Sequence, residues 1–128
     1  MRVFKTKKFG QFARKERLSN QKLVAAMREV EEGLHDGDLG RNLIKKRMAR
    51  AGEGKRGGYR TIIVYQKGKR AIFVYGFTKS DKDNLSVKEL EGYQELAQIY
   101  SRFSKADIAK AVHGNELQEI GYEEEEIS

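Results

Sequence analysis

Apolar residues change period several times along this chain, and each change marks an element. Met1 to Lys5 alternates weakly, as a short opening strand does, and Lys7–Arg17 then places Phe9, Phe12 and Ala13 at helical spacing. Ser19 is placed to cap a second helix running to about Glu32. There Leu23, Ala26, Met27 and Val30 form an i, i+3, i+4, i+7 stripe, and Gly33 is a stop signal. The stretch His35-Asp-Gly-Asp-Leu-Gly40 is loop by composition. Leu43–Arg50 predicts a strand, Ala51–Gly58 with its four glycines a turn region, and Tyr59–Tyr65 and Arg70–Phe77 a hairpin joined by Gln66-Lys-Gly-Lys69. Both hairpin strands are apolar at odd and even positions, as central strands covered on both faces are. Ser86-Val-Lys-Glu89 fits a capping box, followed by Leu90, Tyr93, Leu96, Ala97 and Tyr100 at helical spacing; Ser104 can cap a last short helix ending near Gly114. Residues 115–120 extend that helix or form an edge strand.

This order predicts an α+β domain with a small antiparallel sheet, two N-terminal helices on one face and helices at the C-terminus. With the helices on one face, a sheet face is left for the basic residues of the middle segment. The 128 residues suffice for one core, so residues 1–120 are expected to form one domain and residues 121–128, with the Glu123–Glu126 run, a solvated acidic tail. The absence of Cys excludes disulfides and thiolate chemistry and fits a reducing, cytoplasmic address. No stretch is apolar enough for a signal peptide or a membrane span.

Charge sharpens the picture. Residues 1–80 carry 21 Lys+Arg against 7 Asp+Glu, whereas residues 81–128 carry 5 against 12. A basic body of this kind points to a polyanion, nucleic acid first. From Arg41 to Lys79 there are twelve Lys and Arg and one acid, Glu53. Strand alternation sends Lys45 and Arg47 to one face and Lys46 to the other, with Ile44 and Met48. Arg60 opens one hairpin strand and Lys79 follows the end of its partner, so antiparallel pairing makes them neighbours. Each of these cations taken singly is ordinary solvated surface; their convergence is what suggests a site.

Other chemistries find less support. Gly52-Glu-Gly-Lys55 lacks the spacing of a phosphate-binding P-loop, has no Ser or Thr after the Lys and is followed by a strand rather than a helix. Its glycines instead permit a sharp turn, with Lys55 and Arg56 as backbone-phosphate contacts. His35 and His113 lie far apart, and Asp36, Asp38, Asp81 and Asp83 read as turn and pre-helix residues. Neither a metal nor a small-molecule cofactor is therefore expected.

The run Lys45-Lys-Arg-Met-Ala-Arg50, then Gly52-Glu-Gly-Lys-Arg-Gly-Gly-Tyr-Arg60, then Phe73-Val-Tyr-Gly-Phe-Thr-Lys79 and Asn84-Leu-Ser86 resembles the RelE/HigB-type toxins of bacterial toxin–antitoxin systems. Phe4-Lys5, Phe9 and Phe12 add to the likeness, which extends over about residues 1–115. The resemblance implies a microbial-ribonuclease-like fold and metal-independent cleavage of mRNA, typically on the ribosome, with a partner antitoxin that neutralises the toxin. It also implies roles: Lys45 and Arg47 as the basic strand pair, Arg60 as the phosphate-stabilising Arg, Lys79 as the cation at the end of the last strand, all catalytic, with Lys46, Arg50, Lys55 and Arg56 binding RNA. A Lys among other cations has its charged form disfavoured and so serves better as a base for a ribose 2′-OH, while Arg presents a planar set of donors to phosphate. RelE itself has a Tyr shortly after the last strand where this chain reads Asp81-Lys-Asp-Asn-Leu85; Tyr59 and Tyr75 are the candidates to stand in. The competing readings are a non-catalytic RNA- or ribosome-binding module and an antitoxin or DNA-binding regulator built on the helix from Ser104 to His113.

Overall fold

The β-branched run at the centre of the sequence becomes the centre of a six-stranded sheet, seen in a computed structural model that describes residues 1–50 and 58–122. In chain order the elements are β1 (Arg2–Thr6), α1 (Lys7–Glu16), α2 (Asn20–Glu31), β2 (Gly37–Asp38), β3 (Leu43–Met48), β4 (Tyr59–Gln66), β5 (Arg70–Thr78), α3 (Val87–Ser101), α4 (Lys105–His113) and β6 (Leu117–Tyr122). The strand order is β2-β3-β4-β5-β1-β6. Only β1–β5 is parallel, because the chain returns to β5 from the far side of the sheet; every other pairing is antiparallel. The fold is α+β, with two helices near the N-terminus and two at the C-terminus.

Local chemistry sets the helix starts. Thr6 and Ser19 accept backbone N–H bonds from Phe9 and Lys22, and Ser86 and Ser104 form complete capping boxes with Glu89 and Asp107. The acidic Glu123–Glu126 run and the Gly-rich segment with Lys55 and Arg56 lie outside the described residues. The last strand runs to Tyr122, two residues into the stretch assigned to the tail, with Gly121 paired to Val3 and Tyr122 to Arg2.

Two apolar layers sandwich the sheet. On one face α1 and α2 pack Phe9, Ala13, Leu23, Met27 and Val30 against Val3, Ile44, Ile63 and Phe73. On the other, α3 and α4 lay Ala97, Tyr100, Ile108 and Ala111 on Phe4, Leu43, Ile62, Val64, Ile72 and Val74. The expectation of helices on one face with the other left bare is therefore corrected. Both faces are covered because both carry apolar residues that gain by leaving water. At one end of the α3/α4 face β3 and β5 finish and β4 starts.

A β-bulge decides what that end displays. Ile62 pairs with Tyr75 but Ile63 pairs with Phe73, so Val74 is an extra residue on β5. Without it Phe73, Tyr75 and Phe77 would alternate onto one face. With it, Phe73 packs on Phe9 in the α1/α2 layer, ring centroids 5.1 Å apart, while Tyr75 and Phe77 turn to the opposite layer.

Candidate functional site

Strand pairing brings the predicted cations together row by row. Met48, Tyr59 and Thr78 are in register across β3, β4 and β5; the next row is Arg47, Arg60 and Phe77, then Lys46, Thr61 and Gly76, then Lys45, Ile62 and Tyr75. Since Lys46 faces α2, alternation sends Lys45 and Arg47 the other way; Arg60, between Tyr59 and Thr61, shares their face, as do Ile62 and Phe77. Arg47 and Arg60 are thus direct cross-strand partners. Arg60 is only 6% exposed, a guanidinium-bearing residue in the wall of the sheet rather than on a solvated rim. Arg47 is anchored through its backbone N–H to Asp36 Oδ2 at 2.6 Å, while its Nε is a buried donor without a hydrogen bond among the described residues, 3.9 Å from Asp36 Oδ1. Lys79, exposed just beyond β5, donates its backbone N–H to Gly58 O at 3.3 Å, which fixes it beside the start of β4.

The rest of the basic run is dispersed. Arg41, Lys67 and Lys69 lie at the opposite end of the hairpin, where Leu43 pairs with Val64 and Gln66 with Arg70. Arg70 is buried and donates to Phe103 O at 2.9 Å. Arg50 leans to the α1 side, its guanidinium 5.9 Å from the centre of the Tyr59 ring. The assignment of Lys46 to RNA binding is corrected. Its ammonium is buried and donates to Glu29 Oε1 at 3.0 Å and Leu34 O at 2.8 Å, so its charge is committed to α2 and the loop behind the sheet. Replacing Lys46 by Met, of similar volume, is expected to change stability by less than about 1 kcal/mol, whereas Glu29→Ala strands the buried ammonium and costs about 2 kcal/mol. Chemical denaturation of the two variants checks this order.

Of the two tyrosines, Tyr59 faces α1: its hydroxyl donates to Glu16 O at 3.2 Å and its ring meets Phe12 edge-on. Tyr75 is on the face of Arg60, half-buried, stacked on Tyr93 at 5.0 Å and 22° and adjoining Phe77 at 5.8 Å. Two lysines that sequence reasoning passed over complete this corner. Lys8 Nζ lies 5.2 Å from the Tyr75 ring centre and donates to Tyr93 Oη, and Lys82 Nζ lies 5.3 Å from the same ring and donates to Tyr75 Oη at 3.3 Å. Burial, with Tyr75 and Glu89 nearby, pushes the Tyr93 hydroxyl up to about 12, so it stays protonated as a neutral wall of the corner. No sequence pattern singles out Lys8 or Lys82; the only hint was the Ser86–Glu89 capping box, whose carboxylate also holds Lys82.

That carboxylate has a pH signature. Lys82 donates to both Glu89 oxygens at 2.6 Å, and with the Ser86 backbone this holds the Glu89 carboxyl down at about 2 while Lys82 is raised. The folded-state pKa is depressed, so the contribution is complete above the ordinary carboxylate value and lost as pH falls from about 4.5 toward 2. After allowance for solvent screening of a partly exposed pair, Glu89→Gln should cost about 1 kcal/mol at pH 7. This lowers the Tm by roughly 4 °C. The gap between variant and wild type should narrow steadily as melts are repeated from pH 5 down to pH 2.5.

With this geometry in place, comparison with known proteins is decisive on one point. The model of the family described as the RelE toxin of the RelE/RelB toxin–antitoxin system matches residues 1–120. The chain belongs to the RelE toxin family. A comparison with curated proteins finds no match. As a RelE-family toxin the chain is one half of a toxin–antitoxin pair, and its family implies a protein antitoxin as partner. Among the described residues of this RelE-family chain, no helix is long and apolar enough to cross a membrane.

Proposed function

We propose that this RelE-family toxin is a metal-independent endoribonuclease that cuts mRNA on the translating ribosome in the cytoplasm, and so inhibits translation until its antitoxin binds. The observation that carries the reading is the register of Arg47 with Arg60. Two guanidinium-bearing side chains side by side on one sheet face present planar sets of donors that a single phosphate can accept from. In this account the ribose 2′-OH attacks the adjacent phosphate. A 2′,3′-cyclic phosphate and a 5′-hydroxyl end result, with the proton of the 2′-OH taken by a base and the leaving 5′-oxygen protonated.

Arg60, with Arg47 beside it, braces the negative charge that develops on the phosphoryl oxygens; Lys45 and Lys79 flank the pair as candidates for the proton transfers and further phosphate contacts. Tyr75, with Lys8 and Lys82 against its ring, is the surface on which a base can stack. It takes the place of the aromatic that RelE carries after its last strand. Arg50, Lys55 and Arg56 remain proposed contacts to the RNA backbone; Lys46 does not.

The test uses purified toxin with programmed ribosomes in the presence of EDTA. The expected products carry 2′,3′-cyclic phosphate and 5′-hydroxyl ends. A single 2′-deoxy substitution at the cut site should stop cleavage there, and Lys46→Met should cut as the wild type does. Binding that weakens steeply with salt, without any cut, would instead mean a non-catalytic RNA-binding module.

A further inference from the structure

At the other end of the strand order from Arg47 and Arg60, α1, the end of α4 and the β1–β6 edge line a pocket of about 490 Å³. Its wall includes Lys5, which is 8% exposed and whose ammonium has, among the described residues, a single partner, the neutral Asn20 Oδ1 at 2.9 Å. A buried ammonium without a carboxylate is costly, and no carboxylate among the described residues pairs with it. Arg14 adds a second cation: a Cβ placed on Gly10 would lie 3.7 Å from Arg14 Nη1 and 3.8 Å from Lys5 Cε, so both side chains converge on the same glycine. Lys7 adds a third, at the start of α1, whose first turn contains no acidic residue. Burial, and then the charge of Arg14, lower the Lys5 pKa, the response of a cation lacking its counter-ion.

The carboxylate at the cavity wall is already engaged. Glu119 receives Arg2 through both oxygens, at 2.8 and 3.0 Å. The last turn of α4, which borders the cavity at Val112, is closed by its own backbone, with Gly114 N–H on Lys110 O, Asn115 N–H on Val112 O and Glu116 N–H on Ala111 O, so its carbonyls do not compete. Among the described residues, the Gln118 amide beside Lys5 is left to donate.

We infer that Lys5, Lys7, Arg14 and Gln118 form a second anion site, built for a phosphate group and separate from the Arg47–Arg60 surface. The same chemistry fits a free phosphate or phosphomonoester and the phosphodiester backbone of RNA. Two titrations of the full chain, followed by the backbone amide signals of Gly10 and Gln118, separate these sources: inorganic phosphate, and a 2′-O-methylated RNA that has only phosphodiesters and cannot be cleaved.

Saturable shifts with inorganic phosphate, absent with chloride at equal ionic strength, identify a site for the free anion. Shifts with the RNA alone identify a backbone contact. In either case Arg14→Gln and Lys5→Met should raise the Kd about tenfold. Arg14 is exposed, so its variant folds whatever becomes of Lys5. Because these variants leave Arg47 and Arg60 in place, cleavage with wild-type chemistry is compatible with every outcome. No saturable shift at Gly10 or Gln118 with either ligand, or unchanged affinity in Arg14→Gln, overturns the inference.

Discussion

Arg60→Ala should slow RNA cleavage by about 10²–10³-fold, the usual loss when a preorganised donor to developing charge is removed. Arg60 is nearly buried and in register with Arg47, a placement that would hold its donors ready before a phosphate arrives. The Tm of the same variant, measured alongside, separates lost folding from lost chemistry. Arg60→Lys keeps the charge but loses the planar fork and should fall between the two. Single-turnover cleavage by variants shown to melt cooperatively makes the comparison. A rate for Arg60→Ala within about threefold of wild type, far short of the expected loss, would remove Arg60 from the chemistry.

The second large effect is structural and lies one step away. Gly58 sits against the end of β3: a Cβ there would run into Met48 O, and lie 2.9 Å from Arg50 N and 3.1 Å from Ala49 Cα. These are backbone atoms of the strand that carries Arg47, so they yield only by parting β3 from β4. Gly58→Ala should therefore cost about 3 kcal/mol, the upper range for overpacking a tight site. It should also lower cleavage by shifting Arg47 relative to Arg60. Denaturant unfolding measures the first effect, and the cleavage rate of the fraction that remains folded measures the second. A variant as stable and as active as wild type would contradict the close packing at this corner.

Much of this was legible in the sequence because it depends on local rules. The caps at Ser19, Ser86 and Ser104, the hairpin of β4 and β5, and the alternation separating Lys46 from Lys45 and Arg47 follow from spacing and hydrogen-bonding chemistry. Hairpin geometry likewise brought Lys79 beside the start of β4.

The features that were missed are non-local. Helical periodicity shows that α3 has an apolar side but not which sheet face it covers. The engagement of Lys46 depends on Glu29, seventeen residues earlier on a different element. The bulge at Val74 that turns Tyr75 toward Arg60 has no sequence mark, since Phe73, Val74 and Tyr75 are all good strand residues. The parallel return from β1 to β5 is invisible for the same reason, and with it the cavity around Lys5.

Whether the Arg47–Arg60 surface cuts RNA is read from 5′ ends of mRNA mapped in bacteria after induction of the wild type or Arg60→Ala at equal protein level. Growth arrest with new 5′-hydroxyl ends inside translated frames is expected for the wild type, and neither for the variant. Arrest without new ends, or the same ends from both proteins, would contradict it.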